Sequence, residues 1–186
     1  TIVVGFNDAN GFANPSGVSV SGFAYSHDGG ASFTYGGQLP VAGGGDMIRG
    51  DPGVSVWVNP STGAATFVYS SLYRTPAGES SLCIHVSTDG GVTWSAPRVT
   101  TPVTSASAFA DKVFNDVDPE TGRVLLSWTS FGAAVQMSAI RSDNFGLTWS
   151  PVTVFSARSE DGQGSCPRFD PTGNRAYIVW RAYGAV

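Results

Sequence analysis

The sequence predicts an all-β chain built from tandem units of four antiparallel strands, and three observations carry that expectation. Charged residues make up 13% against 41% hydrophobic, with 24 Gly and 11 Pro in 186 residues, a balance that suits short strands joined by tight turns. One octapeptide recurs three times, as "SHDGGASF" at 26–33, "STDGGVTW" at 87–94 and "SDNFGLTW" at 142–149. A second motif, Asn-Pro or Asp-Pro followed by Gly, keeps step with it as "NPSTG", "DPETG" and "DPTGN".

Taken in order, each unit opens with an apolar strand, "DPGVSVWV" or "DKVFNDV", which runs into the Pro-containing turn. Pro supplies the φ near −65° that such a turn needs, and Gly supplies the positive φ. The second strands, Thr66 to Tyr69 and Val124 to Trp128, are short, β-branched and aromatic. A loop leads to a third strand, "SLCIHV" or "AVQMSAI", then the octapeptide, then a short fourth strand, "SAPRVT" or "SPVTVF". After the last octapeptide, "CPRFDPTGNRAYIVWRAY" starts the cycle again. One such sheet cannot cover both of its faces, and four strands per unit of about 55 to 60 residues is the pattern of a β-propeller blade. The expected layout is a single partial β-propeller over 1–186: a partial blade 1 at 1–42, blade 2 at 50–102, blade 3 at 110–156, and a partial blade 4 at 164–186. That is about three blades, where rings usually close with about four to eight. Remaining blades of the same chain, or a second copy, are expected to complete a six- or seven-bladed ring, and the ragged start and stop favour a piece of a longer propeller.

Composition also excludes. A net charge of −4 with no basic stripe argues against a nucleic-acid partner. No apolar run is long enough for a membrane span. Cys83 and Cys166 are too few for a disulfide framework or a zinc site and read as two separate thiols. The chain begins at Thr1 without a signal-peptide pattern and reads as a mature or excised piece.

The octapeptide suits a self-sufficient hairpin between third and fourth strands, in which an Asp or Asn side chain accepts from the turn's own amides. Its pattern, Ser-X-Asp-X-Gly-X-Thr-Trp, resembles the Asp-box, or bacterial neuraminidase repeat, of the sialidase superfamily. Ser87, Asp89, Gly91, Thr93 and Trp94 match throughout; Ser26, Asp28, Gly30, Ser32 and Phe33 match with two conservative changes; Ser142, Asn144, Gly146, Thr148 and Trp149 carry Asn in place of Asp. The resemblance implies a propeller with these boxes on its rim, away from substrate, so their carboxylates are expected to be structural. It also implies a secreted or extracellular protein that meets a glycan or glycoconjugate.

With the boxes at one end, strand alternation gathers the remaining loops at the other, which forms the expected mouth. Among its charged and aromatic residues, Asp46, Asp51 and Asp111 are the candidate catalytic carboxylates, because glycoside cleavage uses paired acids. Arg49, Tyr73, Arg74 and Glu79 are the candidate ligand-binding residues, Arg through its fixed fork and Tyr73, like Phe12, by stacking on sugar rings. Asp8, Lys112, Glu160, Asp161 and Arg181 fall in the same loops. No cofactor is expected; Asp-rich loops can bind calcium, but no spacing here resembles a dedicated calcium loop. A sialidase pairs Tyr with Glu, uses an Asp acid/base and clamps its substrate with three Arg. The family's Arg-Ile-Pro signature is absent, and Asp8 and Asn10 stand where Glu-X-Arg belongs. The resemblance therefore points to a carbohydrate-directed propeller, hydrolase-like or glycan-binding, rather than to a true sialidase. The alternative is a non-catalytic structural or protein-interaction segment of a larger surface protein.

Overall fold

The apolar runs form strands that pair with their chain neighbours into four antiparallel sheets. The structure is a computed structural model and describes residues 1–14, 18–100, 108–157, 161–172 and 175–183. The first sheet orders β1 (Ile2–Asn7), β2 (Ser21–Ser26) and β3 (Thr34–Gln38), with the short helix α1 (Ala9–Ala13) between β1 and β2. In the second, β4 (Met47–Ile48) and β5 (Gly53–Val58) are two parts of one edge, both antiparallel to β6 (Ala65–Arg74), which pairs with β7 (Ser80–Ser87) and through it with β8 (Arg98–Val99). The third contains β9 (Phe109–Val117), β10 (Val124–Phe131), β11 (Gln136–Ser142) and β12 (Thr153–Val154) in chain order. The fourth pairs β13 (Gly162–Phe169) with β14 (Ala176–Ala182).

The Pro turns form as their residues require. Asn59 and Asp118 each accept through Oδ1 from two amides of the turn that follows, Ser61 at 2.9 Å and Thr62 at 3.2 Å for one, Glu120 at 2.9 Å and Thr121 at 3.3 Å for the other. Asp170 accepts likewise from the Thr172 amide at 3.0 Å.

The sheets are packed face to face. Phe23 and Leu39 of the first meet Tyr69, Tyr73 and Cys83 of the second. Val68, Leu82 and Ile84 of the second meet Val113, Val117, Val124, Leu126 and Ile140 of the third. Successive residues of β6 thus serve two different interfaces, which is why Phe67 to Ser71 is buried without interruption. Each interface is also pinned by buried polar groups. Ser21 and Ser71 share a hydroxyl–hydroxyl bond of 2.6 Å, and the Tyr69 hydroxyl donates to the Gly22 carbonyl at 2.9 Å. Asn115 of β9 reaches into the second sheet, donating to the Gly53 carbonyl and to Ser70 Oγ at 2.8 Å each while accepting from Ser55 Oγ. Ser165 donates to Ser127 at 2.9 Å between the third and fourth sheets. The two cysteines are free thiols, with burial pushing the Cys83 pKa up.

The three octapeptides share one hydrogen-bond scheme. The first hydroxyl, of Ser26, Ser87 or Ser142, donates to the carboxylate or amide oxygen two residues on and accepts the glycine amide four residues on, at 2.8, 2.9 and 2.7 Å for Gly30, Gly91 and Gly146. Asp28 and Asp89 each take a hydroxyl proton at 2.6 Å, from Ser32 and Thr93. Bonds from Ser26 and then Ser32 hold Asp28, and bonds from Thr93 hold Asp89, well below the usual carboxylate range. In the third box the last link is reversed: Asn144 Nδ2 donates to Thr148 Oγ1 at 2.8 Å while its oxygen still accepts the Thr148 amide at 2.8 Å. Each of the two later boxes docks on the sheet before it. Trp94 packs edge-on against Phe23 and Tyr69, with centroids 5.7 and 5.6 Å apart, and the Phe145 ring packs on Trp57 at 5.6 Å.

Two outcomes follow from this packing. Gly29 and Gly91 both have positive φ, +76° and +86°, but a Cβ at Gly29 meets nothing within 4 Å whereas one at Gly91 falls 2.6 Å from Val3. Gly29→Ala should therefore cost about 1 kcal/mol, from backbone strain alone, and Gly91→Ala at least about 2 kcal/mol more, read as denaturation midpoints. His85 is fully buried on β7, its Nε2–H donating to the Pro40 carbonyl at 2.9 Å, with Nδ1 unpartnered. Burial dominates and lowers its pKa to about 4, against partial opposition from Pro40 and Asp46. Because the unfolded histidine binds its proton first, this stability is present above about pH 6.5 and lost as pH falls toward 4, by about 3 kcal/mol in all. Replacing His85 with Gln should flatten that part of the stability–pH curve.

Candidate functional site

The boxes and the Pro turns share one end of the sheets: Trp57 Nε1 donates to the Pro119 carbonyl, and Arg123 pairs with Asp143. The opposite end carries α1, the loop preceding β5, the β6–β7 connection and the start of β9. Here the edge strands of the second and third sheets both break their regular pairing. Arg49 N–H donates to the Leu72 carbonyl at 2.8 Å and Leu72 N–H to the Gly50 carbonyl at 3.0 Å, and the chain bulges before it resumes as β5. β9 shifts register against β10 between Ser127 and Thr129.

Both bulges place a residue with a side chain in the left-handed region: Asp51 at φ +53° and Lys112 at φ +54°. That conformation costs about 1–2 kcal/mol and persists only where neighbours hold it. They do. The Asp51 amide donates to Asn7 Oδ1 at 3.0 Å, and the Lys112 amide to Asp51 Oδ2 at 3.2 Å, so three sheets are linked in sequence. Lys112 Nζ lies 3.6 Å from Asp51 and 3.8 Å from Asp111. Burial, and then a hydrogen bond to Asp51, raise the Asp111 pKa, with Lys112 opposing. Asp51 and Asp111 thus both face the Lys112 ammonium, each with about three-quarters of its side chain screened from solvent.

Next to this pair, Arg49, Leu72, Tyr73, Arg74, Gly78, Ser80 and Ala110 line a pocket of about 190 Å³. Three residues that the sequence marks for ligand contact, Arg49, Tyr73 and Arg74, therefore meet at one depression. Arg74 Nε donates to the Gly78 carbonyl at 3.3 Å, which props the guanidinium against the rim. Tyr73 contributes a wall but no free hydroxyl or stacking face: it is buried, it donates to Asp46 Oδ2 at 3.0 Å, and burial followed by that bond pushes its pKa up to about 12.

Other expected residues lie elsewhere. Asp46 is buried, and its two oxygens take the amides of Ala42 and Gly43 at 2.9 and 2.8 Å, so it organises a glycine loop and offers nothing to a substrate. Glu79 closes its own turn, accepting from Thr75 Oγ1 at 3.2 Å. Asp8 is buried as the cap of α1 and accepts from the Tyr35 hydroxyl at 2.6 Å. Phe12 is 69% exposed on α1. Arg181 lies over the Tyr183 ring, 4.5 Å from its centroid. Glu160 is outside the described residues. Sequence reasoning missed Phe109 and Phe131, whose rings stack at 4.6 Å and 7° at the mouth end of the third sheet. Among the described residues no group of three or more His, Cys, Asp or Glu could hold a metal ion, and no helix is long and apolar enough to cross a membrane. A larger apolar groove of about 530 Å³ lies away from the mouth, between the third sheet and β14, with Leu125, Ile140, Phe155 and Ile178 in its walls.

A family model described as "BNR/Asp-box repeat" matches residues 85–96, the end of β7 and the second octapeptide. No curated protein matches the sequence. Among solved structures, the chain is similar to a protein of unknown function from Dyadobacter fermentans, with a TM-score of 0.59 at 18% identity over 96% of this chain and 52% of that one. It is also similar to a variant of the NanB sialidase from Streptococcus pneumoniae, with a TM-score of 0.57 at 15% identity over 86% of this chain and 23% of that one. The chain thus spans about half the length of the first and under a quarter of the second. With three boxes bonded on closely similar lines and each sheet packed on the next, the chain carries an Asp-box repeat at residues 85–96 and is similar in fold to these two structures.

Proposed function

We propose that the chain is part of a secreted, sialidase-like Asp-box propeller that recognises carbohydrate at the mouth end. The observation that carries this reading is the pocket walled by Arg49 and Arg74 next to the Asp51–Asp111–Lys112 group, which combines fixed cationic forks with carboxylates suited to sugar hydroxyls. Recognition is favoured over cleavage because Asp51 and Asp111 both face the Lys112 ammonium, while Asp46, the third candidate acid, is buried with its oxygens held by the amides of Ala42 and Gly43.

Closure into a ring belongs to the same proposal. Ile2 and Val4 on the first sheet, and Tyr177 and Val179 on the fourth, are exposed large apolar residues at the two ends of the stack. Further sheets of the same construction, to a total of six or seven, would cover both faces. The non-catalytic structural alternative predicts no ligand at the mouth.

The closed ring should bind a subset of an immobilised glycan array, and Arg49→Ala or Arg74→Ala should weaken that binding about tenfold or more without changing thermal stability. A silent array, or binding indifferent to both substitutions, would remove this reading.

A further inference from the structure

Phe109 and Phe131 lie directly opposite one another in the β9–β10 register, with rings nearly parallel at 7° and centroids 4.6 Å apart. Phe109 is 49% exposed, and the adjoining Gly132 has only the Ala108 Cβ within 4 Å of where its own would be. A stacked aromatic pair at the end of a strand, open on one side, is expensive to leave facing water unless something covers it. The pairing from Phe131↔Phe109 through Thr129↔Asp111 is regular, so Phe109 and Asp111 project from the same side of β9. Two residues along a strand span about 7 Å, the scale of one sugar unit.

Resting on the carbohydrate reading above, we propose that the Phe109–Phe131 stack is a monosaccharide subsite, on which the apolar face of a pyranose ring lies while its hydroxyls reach Asp111 and Lys112. The aromatic face is electron-rich and meets the polarised C–H groups of the ring; the carboxylate accepts hydroxyl protons and the ammonium donates to hydroxyl oxygens. The chemistry of the surroundings selects this occupant over a lipid or an apolar helix. The slab is two rings in extent, and Asp111 and Lys112 follow Phe109 on its own strand, placing a carboxylate and an ammonium close to the rings. Phe12 and Tyr73, the aromatics singled out from sequence, do not compete for the role, since Tyr73 is buried and Phe12 belongs to the first sheet's helix.

The test uses the closed ring and a panel of soluble neutral and acidic hexasaccharides, followed by saturation-transfer NMR and titration calorimetry. Wild-type protein should transfer saturation to the C–H protons of one sugar residue. Phe109→Leu, which keeps apolar bulk but removes the flat face, should weaken binding about tenfold with an unchanged melting temperature, and Phe109→Trp should retain it. Phe131→Leu serves as an independent variant on the partner strand. Binding that Phe109→Leu and Phe131→Leu leave intact would overturn the subsite while the carbohydrate reading stands. Absence of binding to every sugar by the wild-type ring would overturn both.

Discussion

A sheet with two apolar faces has to be covered on both sides, and in this chain that constraint governs everything else. β6 is buried on both sides because Val68 faces one neighbour and Tyr69 the other. Apolar contact alone would let such sheets slide, since burial is proportional to area and has no preferred direction. The directional component comes from the inner strands. Asn115 fills a polar gap among Ser55, Ser70 and Gly53, and a slip of one residue would leave buried donors and acceptors unpaired, at about 1–3 kcal/mol each.

The same inner strands create the strained positions at the mouth. Asp51 and Lys112 tolerate left-handed backbone because the preceding sheet offers an oxygen to each amide. Strain and charge are thereby placed together: the bonds that align one sheet with the next also bring Asp51, Asp111 and Lys112 to a single point. These groups stand on strand ends held by hydrogen bonds between sheets, so their relative positions are fixed by the fold itself.

Much of this was legible in the sequence because it is local. A Pro turn and an octapeptide each satisfy their own amides within eight residues, so their pattern survives in one dimension. Strand pairing followed, since neighbours in the chain are neighbours in the sheets. What stayed hidden depends on distant partners. Asp46 looks like a mouth carboxylate until Ala42 and Gly43 are seen to wrap around it and Tyr73 to reach it from another strand. The bulge at Asp51 is set by Asn7, 44 residues earlier. Phe109 and Phe131 read as ordinary strand residues, because alternation does not reveal which end of a strand runs beyond its neighbours.

The third box carries a lesson about charge. Where Asp28 and Asp89 close their loops as anions taking a hydroxyl proton, Asn144 closes its loop as a neutral group that gives one. Strong acid removes the anionic acceptors of the first two clasps by protonating them, and has nothing to titrate at Asn144 itself. The rim is therefore fastened by two kinds of catch, and acid well below the usual carboxylate range is needed to loosen the first two, while the third has no charge at Asn144 to lose.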